Sequence, residues 1–355
     1  MIQNRRGRVV GMAGAALIAS MLLSGGIAGA APDTGSEGAD DAIRGFTTPE
    51  FLQDEPQPLP LTRDGISAAA VVENQQISEQ VRKITIASPA LGRDVTVDVL
   101  LPADNSVPRP VLYMLDGVDA PDDYSKWMIN GAPEFFADKN VNVVLVNGGE
   151  ASMYTDWEQE DPELGWNQWE TYLTQELPAL IDAELGTSGV RGIAGNSMGA
   201  QAALMTVTRN PELYSAVAGF SGCYSASDPM GMLTTRSTVT ARGGDPDNMW
   251  APGGPAWEQH DSVVNAEALR GKTIYLSVGN GAVGRHEPNP TLSNVVAGGV
   301  LEGGANYCTR SMDARLGELG IPAVIDYEPE GIHAWGYWTD QLPKMWPTIS
   351  AGLGL

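Results

Sequence analysis

Residues 190–210 read VRGIAGNSMGAQAALMTVTRN. Val190–Ala194 is a short apolar run of strand length, and the residues after Gly199 are helix formers. Between them, Gly195-Asn196-Ser197-Met198-Gly199 fits G-x-S-x-G, where a strand turns sharply into a helix with the serine at the apex. Such a turn closes only if the flanking positions carry no side chain. The N-terminus of the following helix also favours negative charge developing beside the serine. The five-residue pattern is common by itself. The strand before it and the helix after it argue against a spectator serine in an ordinary glycine-rich turn, and Ser197 is read as a nucleophile.

Working outward, the same alternation recurs. VRKITIASPALGRDVTVDVLLP (81–102) reads as two alternating strands joined by a Pro/Gly turn. RPVLYMLDG (109–117), VNVVLVNGG (141–149), YSAVAGFSG (214–222), KTIYLSVGNG (272–281) and PAVIDYEPEG (322–331) are further apolar runs ending in turn residues. Helical patterns such as WNQWETYLTQELPALIDAEL (166–185) lie between them. Apolar strands alternating with amphipathic helices imply a mostly parallel sheet covered on both faces, with the opening hairpin antiparallel at one edge. With the serine turn, this predicts the α/β-hydrolase fold.

The chain has 355 residues. Arg5, Arg6 and Arg8 precede an uncharged run from Val9 to Ile27, and Ala28-Gly29-Ala30 supplies small residues for cleavage. Residues 1–30 are therefore expected to be a signal peptide. The Gly, Ala and Ser content and the small-residue site argue against a retained anchor. Residues 31–79, acidic and rich in proline, are expected to be a flexible lead-in, and residues 80–355 the enzyme domain. Removing the leader takes away three arginines and changes the net charge from −23 to −26. That surface repels nucleic acid and anionic membranes, and suits a neutral or apolar substrate outside the cell. No stable membrane insertion is expected after cleavage. The two cysteines, Cys223 and Cys308, are expected to form a disulfide in an oxidising compartment, the alternative being two buried thiols.

A serine nucleophile needs a base and an acid to orient it. The histidines are His260, His286 and His333, all after Ser197. The base belongs in the loop after the last strand, which selects His333. His260 is expected at the surface, and His286 lies in a Gly/Pro-rich loop. The acid should follow the strand at 272–281, where Glu287 and Glu302 both qualify.

Several blocks go beyond a generic hydrolase: LDGVDAPDDYSKWMIN (115–130), NGGEASMYTDW (147–157), WETYLTQELP (169–178), MWAPGGPAW (249–257), GNG (279–281), LEG (301–303) and GIHAWGYWTDQL (331–342). In this order they resemble the antigen 85 mycolyltransferases and the related corynebacterial-type enzymes, across most of the chain beyond the leader. The resemblance implies transfer of mycoloyl groups outside the membrane, from trehalose monomycolate to a second trehalose monomycolate or to cell-wall arabinan. Trehalose mycolates and cell-wall glycan are thus the implied partners. It implies no metal and no organic cofactor. It places the acid in a loop at LEG, favouring Glu302 over Glu287. It puts the oxyanion hole at the N–H groups of Val118 and Met198, and the sugar site at Asp116, Gly117, Asn130 and Trp335. Trp127, Trp157, Trp169, Trp250 and Trp257 read as core or groove walls. One departure is Asp119, where many members carry an arginine that contacts sugar; another is Val278, where some have a cysteine. The rival readings are a secreted carboxylesterase with the same triad and a non-catalytic binding protein on the same scaffold.

Overall fold

The computed structural model describes residues 57–288 and 292–355. The expected signal peptide, and the lead-in up to residue 56, lie outside the described residues. Nine strands form one sheet in the order β1-β2-β3-β5-β4-β6-β7-β8-β9. They are β1 (Ala70–Gln76), β2 (Val81–Ser88), β3 (Arg93–Leu100), β4 (Val111–Leu115), β5 (Asn142–Val146), β6 (Arg191–Asn196), β7 (Ala216–Phe220), β8 (Thr273–Val278) and β9 (Val324–Tyr327). β1, β2, β3 and β5 pair antiparallel, and from β5 to β9 every neighbour is parallel.

The strands at the centre are apolar at every position because both faces are covered. Val111, Tyr113 and Leu115 of β4 face one core together with Val144 and Val146 of β5, the elbow helix Met198–Arg209, and Leu177 and Ile181. Leu112 and Met114 face the other core, against Phe136 and the C-terminal helix Trp335–Gly352 with its Leu342, Met345 and Ile349. This period-two division is the sheet geometry that the sequence alternation encodes.

The sheet begins earlier than the boundary at residue 80. β1 lies inside the segment read as lead-in, paired with β2 from Ala70↔Ala87 to Gln76↔Arg82. Its sequence AVVENQQ is mostly exposed and polar, as an edge strand with little to bury can be. Backbone hydrogen bonding, which periodicity does not report, holds it there. Gln57 is also fastened to the domain, its side chain donating to the Ala120 carbonyl at 2.8 Å and accepting from the Asp122 N–H at 2.8 Å.

Candidate active site

Ser197 stands between the last residue of β6 and the first of the elbow helix, with φ 54° and ψ −119°. A non-glycine residue in that region is strained, and here the packing around it fixes the turn. A Cβ on Gly195 would lie 2.4 Å from the Gly199 carbonyl, and one on Gly199 would lie 2.5 Å from the Asp116 oxygen. Both glycines are therefore required by contact. The Ser197 N–H donates to the Phe220 carbonyl at 2.8 Å, which holds the turn against β7.

His333 lies in the loop between β9 and the C-terminal helix, and its N–H donates to the Gly298 carbonyl at 3.0 Å. Its Nε2 is 2.8 Å from Ser197 Oγ, and its Nδ1 is 2.8 Å from Glu302 Oε2. Glu302 is 1% exposed. Its other oxygen accepts from the Gly279 N–H at 2.6 Å and from Ser221 Oγ at 2.7 Å. Ser221 Oγ in turn accepts from Trp338 Nε1 at 2.9 Å. The buried carboxylate thus has a partner for each oxygen, as a buried charge requires. The Trp338 ring meets the His333 imidazole edge-on at 4.9 Å, and Trp335 meets Trp338 at 5.2 Å and Trp127 at 4.9 Å. An aromatic wall therefore runs away from the base.

The expected acid loop is instead a helix. Leu301-Glu302-Gly303 lies within a helix of 28 residues, Leu292–Leu319. Its glycine-rich first half, GGVLEGG, gives a weak helical signal, which is why the sequence reads as a loop. Glu287, the other candidate acid, is elsewhere. It accepts from the Tyr337 hydroxyl at 2.6 Å and does not meet His333. His286 pairs with Asp340 at 2.7 Å. His260 is buried, not at the surface: its ring stacks on Trp250 at 4.4 Å, its Nδ1 is 2.7 Å from the Ala256 carbonyl, and Glu170 is 3.5 Å from its Nε2. Its local sequence is polar, but the tertiary fold closes over it.

Above the serine, the loop after β4 passes close to the nucleophile. A Cβ on Gly117 would lie 3.5 Å from Ser197 Cβ. Among the described residues, neither the Val118 N–H nor the Met198 N–H has a protein acceptor. Two backbone donors flanking the serine are what an oxyanion requires. Asp116 departs from its expected role as a sugar contact. It is fully buried, and its two oxygens accept from Ser125 Oγ at 3.1 Å and from the Lys126 N–H at 2.9 Å. It clamps the loop instead of facing a substrate. Burial pushes its pKa up to about 7, against the hydrogen bonds from Lys126 and Ser125. Asp119 pairs with the Lys126 ammonium. Asn130 is half-buried and donates to the Lys126 carbonyl at 2.8 Å, and Trp335 is half-buried at the start of the C-terminal helix.

Cys223 and Cys308 form a disulfide. It joins the segment after β7, two residues past Ser221, to the helix of Glu302, six residues past the acid. The glutamate's helix is thereby tied to the loop that supplies one of its hydrogen-bond donors. Sequence reasoning gave no role to Ser221, the Gly279 N–H or Trp338, although Gly279 lies in the GNG block and Trp338 in the block that carries His333. A further signal is position, Ser221 directly after β7 and Gly279 directly after β8, at the strand ends where sites gather in this fold class.

The esterase family profile matches residues 88–349. The diacylglycerol acyltransferase/mycolyltransferase Ag85A of Mycobacterium tuberculosis is 32% identical over 286 residues, covering 77% of this chain and 82% of that protein. The Ag85B protein of Mycobacterium avium is 31% identical over 289 residues, covering 77% and 84%. Among solved structures, Mycobacterium tuberculosis MPT51 superposes with a TM-score of 0.67 at 25% identity, covering 78% of this chain and all of that one. An S-formylglutathione hydrolase from Agrobacterium tumefaciens superposes with a TM-score of 0.59 at 16% identity, which speaks to the fold alone.

Proposed function

This chain belongs to the esterase family together with the antigen 85 acyltransferases, and from that premise we propose that it is an exported serine acyltransferase which moves mycoloyl groups between sugar esters. The observation carrying this reading is the continuous hydrogen-bonded chain Ser197–His333–Glu302, at 2.8 Å for each link.

In this reading Ser197 Oγ attacks the ester carbonyl of a donor such as trehalose monomycolate. His333 Nε2 takes the serine proton and delivers it to the departing sugar hydroxyl, leaving an ester on Ser197. Glu302 holds the imidazole tautomer and stabilises the imidazolium. The oxyanion sits between the Val118 and Met198 N–H groups. A hydroxyl of a second trehalose monomycolate, or of wall arabinan, then gives its proton to His333 and takes the acyl group. The half-buried Trp335, backed by the buried Trp127 and Trp338, supplies a face against which a sugar ring can pack.

Export is supported by the basic, apolar and small-residue sequence of the first thirty positions and by the disulfide. Among the described residues no helix is long and apolar enough to cross a membrane.

Hydrolysis by the same triad is the competing reading. The Asp119–Lys126 pair, standing where many relatives have an arginine, is the observation that favours weighing it. Incubation with trehalose monomycolate, with and without added trehalose, followed by lipid analysis decides between them. Transfer yields trehalose dimycolate, and returns monomycolate when free trehalose is present. Free mycolic acid as the sole product in both arms would make the protein an esterase.

A further inference from the structure

Arg93 opens β3, and its side chain is taken almost wholly out of water, with 7% of the residue exposed. Its guanidinium lies over the Trp169 ring at 5.6 Å. Among the described residues it makes no hydrogen bond and no ion pair. None of its five N–H donors has a protein acceptor among those residues, and none is sealed from solvent, so the guanidinium fork opens onto the space beside it. Desolvation lowers its pKa, and the carboxylate opposing this most strongly is Asp122. Asp122 stays beyond ion-pairing distance, so the two charges face each other without closing.

Both line one groove of about 550 Å³, whose other wall is the run Pro58-Leu59-Pro60-Leu61. That volume falls in the range of about 300–1,000 Å³ usual for small-molecule sites. The wall is apolar and open, with Leu59 50% and Leu61 90% exposed. At the same end, Arg63 is paired with Asp94 at 2.8 Å, which leaves Arg93 and Asp122 as the groove's unclosed charges.

The chemistry of the pair selects the ligand. A group seated between Arg93 and Asp122 must accept from one and donate to the other. A hydroxyl does both, and neighbouring sugar hydroxyls match the planar fork of the guanidinium. A plain carboxylate would satisfy Arg93 but meet Asp122 and Asp94 with like charge, on a chain of net charge −23. The apolar wall, in turn, suits an acyl chain or the CH face of a sugar.

The groove also adjoins the oxyanion loop. Asp122 and Ala120 are held by Gln57, the Gly148 N–H donates to the Pro121 carbonyl at 2.6 Å, and the Ala151 N–H donates to the Val118 carbonyl at 2.9 Å. Asp122 is four positions along the chain from Val118, a reach of at most about 14 Å.

We infer that this groove is an accessory binding site for an acylated sugar, with Arg93 and Asp122 holding hydroxyls and Pro58–Leu61 holding the acyl chain. This rests on the acyl-sugar chemistry proposed above, and it places a second molecule of that class beside the loop carrying Val118.

The test is photo-crosslinking of the mature exported protein with a trehalose ester bearing a diazirine on its acyl chain, read by peptide mass spectrometry. Label on residues 58–63 is expected. It should fall at least tenfold in Arg93→Met and at least fivefold in Leu61→Asp, with thermal unfolding measured alongside. Leu61 is so exposed that its variant keeps the test valid if Arg93→Met does not fold. Label confined to the peptides around Ser197 and His333 would overturn the groove and leave the acyl-transfer reading standing. Label on 58–63 in a protein whose Ser197 does not react with a serine-directed phosphonate would uphold the groove and remove that reading. Equal, Arg93-dependent labelling by a diazirine fatty acid would overturn the sugar assignment.

Discussion

The nucleophile and the acid are built in opposite ways. Everything Ser197 needs locally lies in five contiguous residues: two glycines whose missing side chains admit the turn, and a helix start that aims its N–H groups at the serine. Glu302 owes its place to groups far apart in the chain. These are Ser221 after β7, Gly279 after β8, Trp338 on the C-terminal helix, and the bridge from Cys223 to Cys308. A local device tolerates change elsewhere and fails on one methyl group within it. A dispersed device tolerates small changes and degrades in steps. Substitutions can separate the two behaviours.

The largest effect belongs to the acid itself. Glu302→Gln should lower kcat by roughly 10³–10⁴-fold, because the amide supports the wrong tautomer and leaves the imidazolium without its partner. Glu287→Gln, whose carboxylate meets Tyr337, should stay within about twofold. Steady-state rates on a soluble trehalose ester check both. The reverse ranking would remove Glu302 from the site.

The bridge comes next. It closes a separation of 85 residues, for which the chain-entropy relation gives about 4–5 kcal/mol. Replacing both cysteines with serine should lower the unfolding midpoint accordingly. At temperatures where the variant is still folded, kcat should also fall, because the helix of Glu302 loses its tie to the Ser221 loop. Loss of stability with kcat unchanged would confine the bridge to a structural role.

Asp116 gives a pH signature. Its folded pKa of about 7 is above the ordinary carboxylate value of 3.8. The folded state therefore binds the proton more tightly than the unfolded state does. The stability this contributes is complete below about pH 4 and is lost as pH rises through 7. Asp116→Asn removes that slope. The wild-type midpoint should fall relative to the variant between pH 4 and 7 and run parallel above, the total amounting to a few kcal/mol. Two parallel profiles across that window would show that the carboxyl titrates normally.

The smallest effect expected is at Ser221. Ser221→Ala removes one of three hydrogen bonds to Glu302, so about tenfold in kcat is expected with KM little changed. A change in KM alone would place Ser221 with substrate contacts.

The same contrast explains what could be read from the sequence. The elbow was legible because strand, turn and helix are contiguous, and period-two alternation carried most of the sheet. His333 could be placed because it follows the last strand. The helix around Glu302 could not, because its glycines mask it and packing against β8 and the sheet's end decides its form. β1 was missed for a related reason: an exposed, polar edge strand is held by backbone bonds that leave no apolar pattern. His260 read as accessible from its polar surroundings, and the resemblance placed Asp116 at the sugar; tertiary packing buries each of them. The Ser221–Trp338 link joins residues 117 apart, a separation at which local pattern has nothing to say.

The central claim is that Ser197 is activated by His333 to carry the acyl group. Reaction with a serine-directed alkyl phosphonate, followed by intact-mass and peptide mass spectrometry, tests it most directly. The expected result is one adduct, on the peptide containing Ser197, absent from Ser197→Ala and formed at least 10³-fold more slowly in His333→Ala. An adduct on another residue, or one on Ser197 that forms equally fast without His333, would contradict the account.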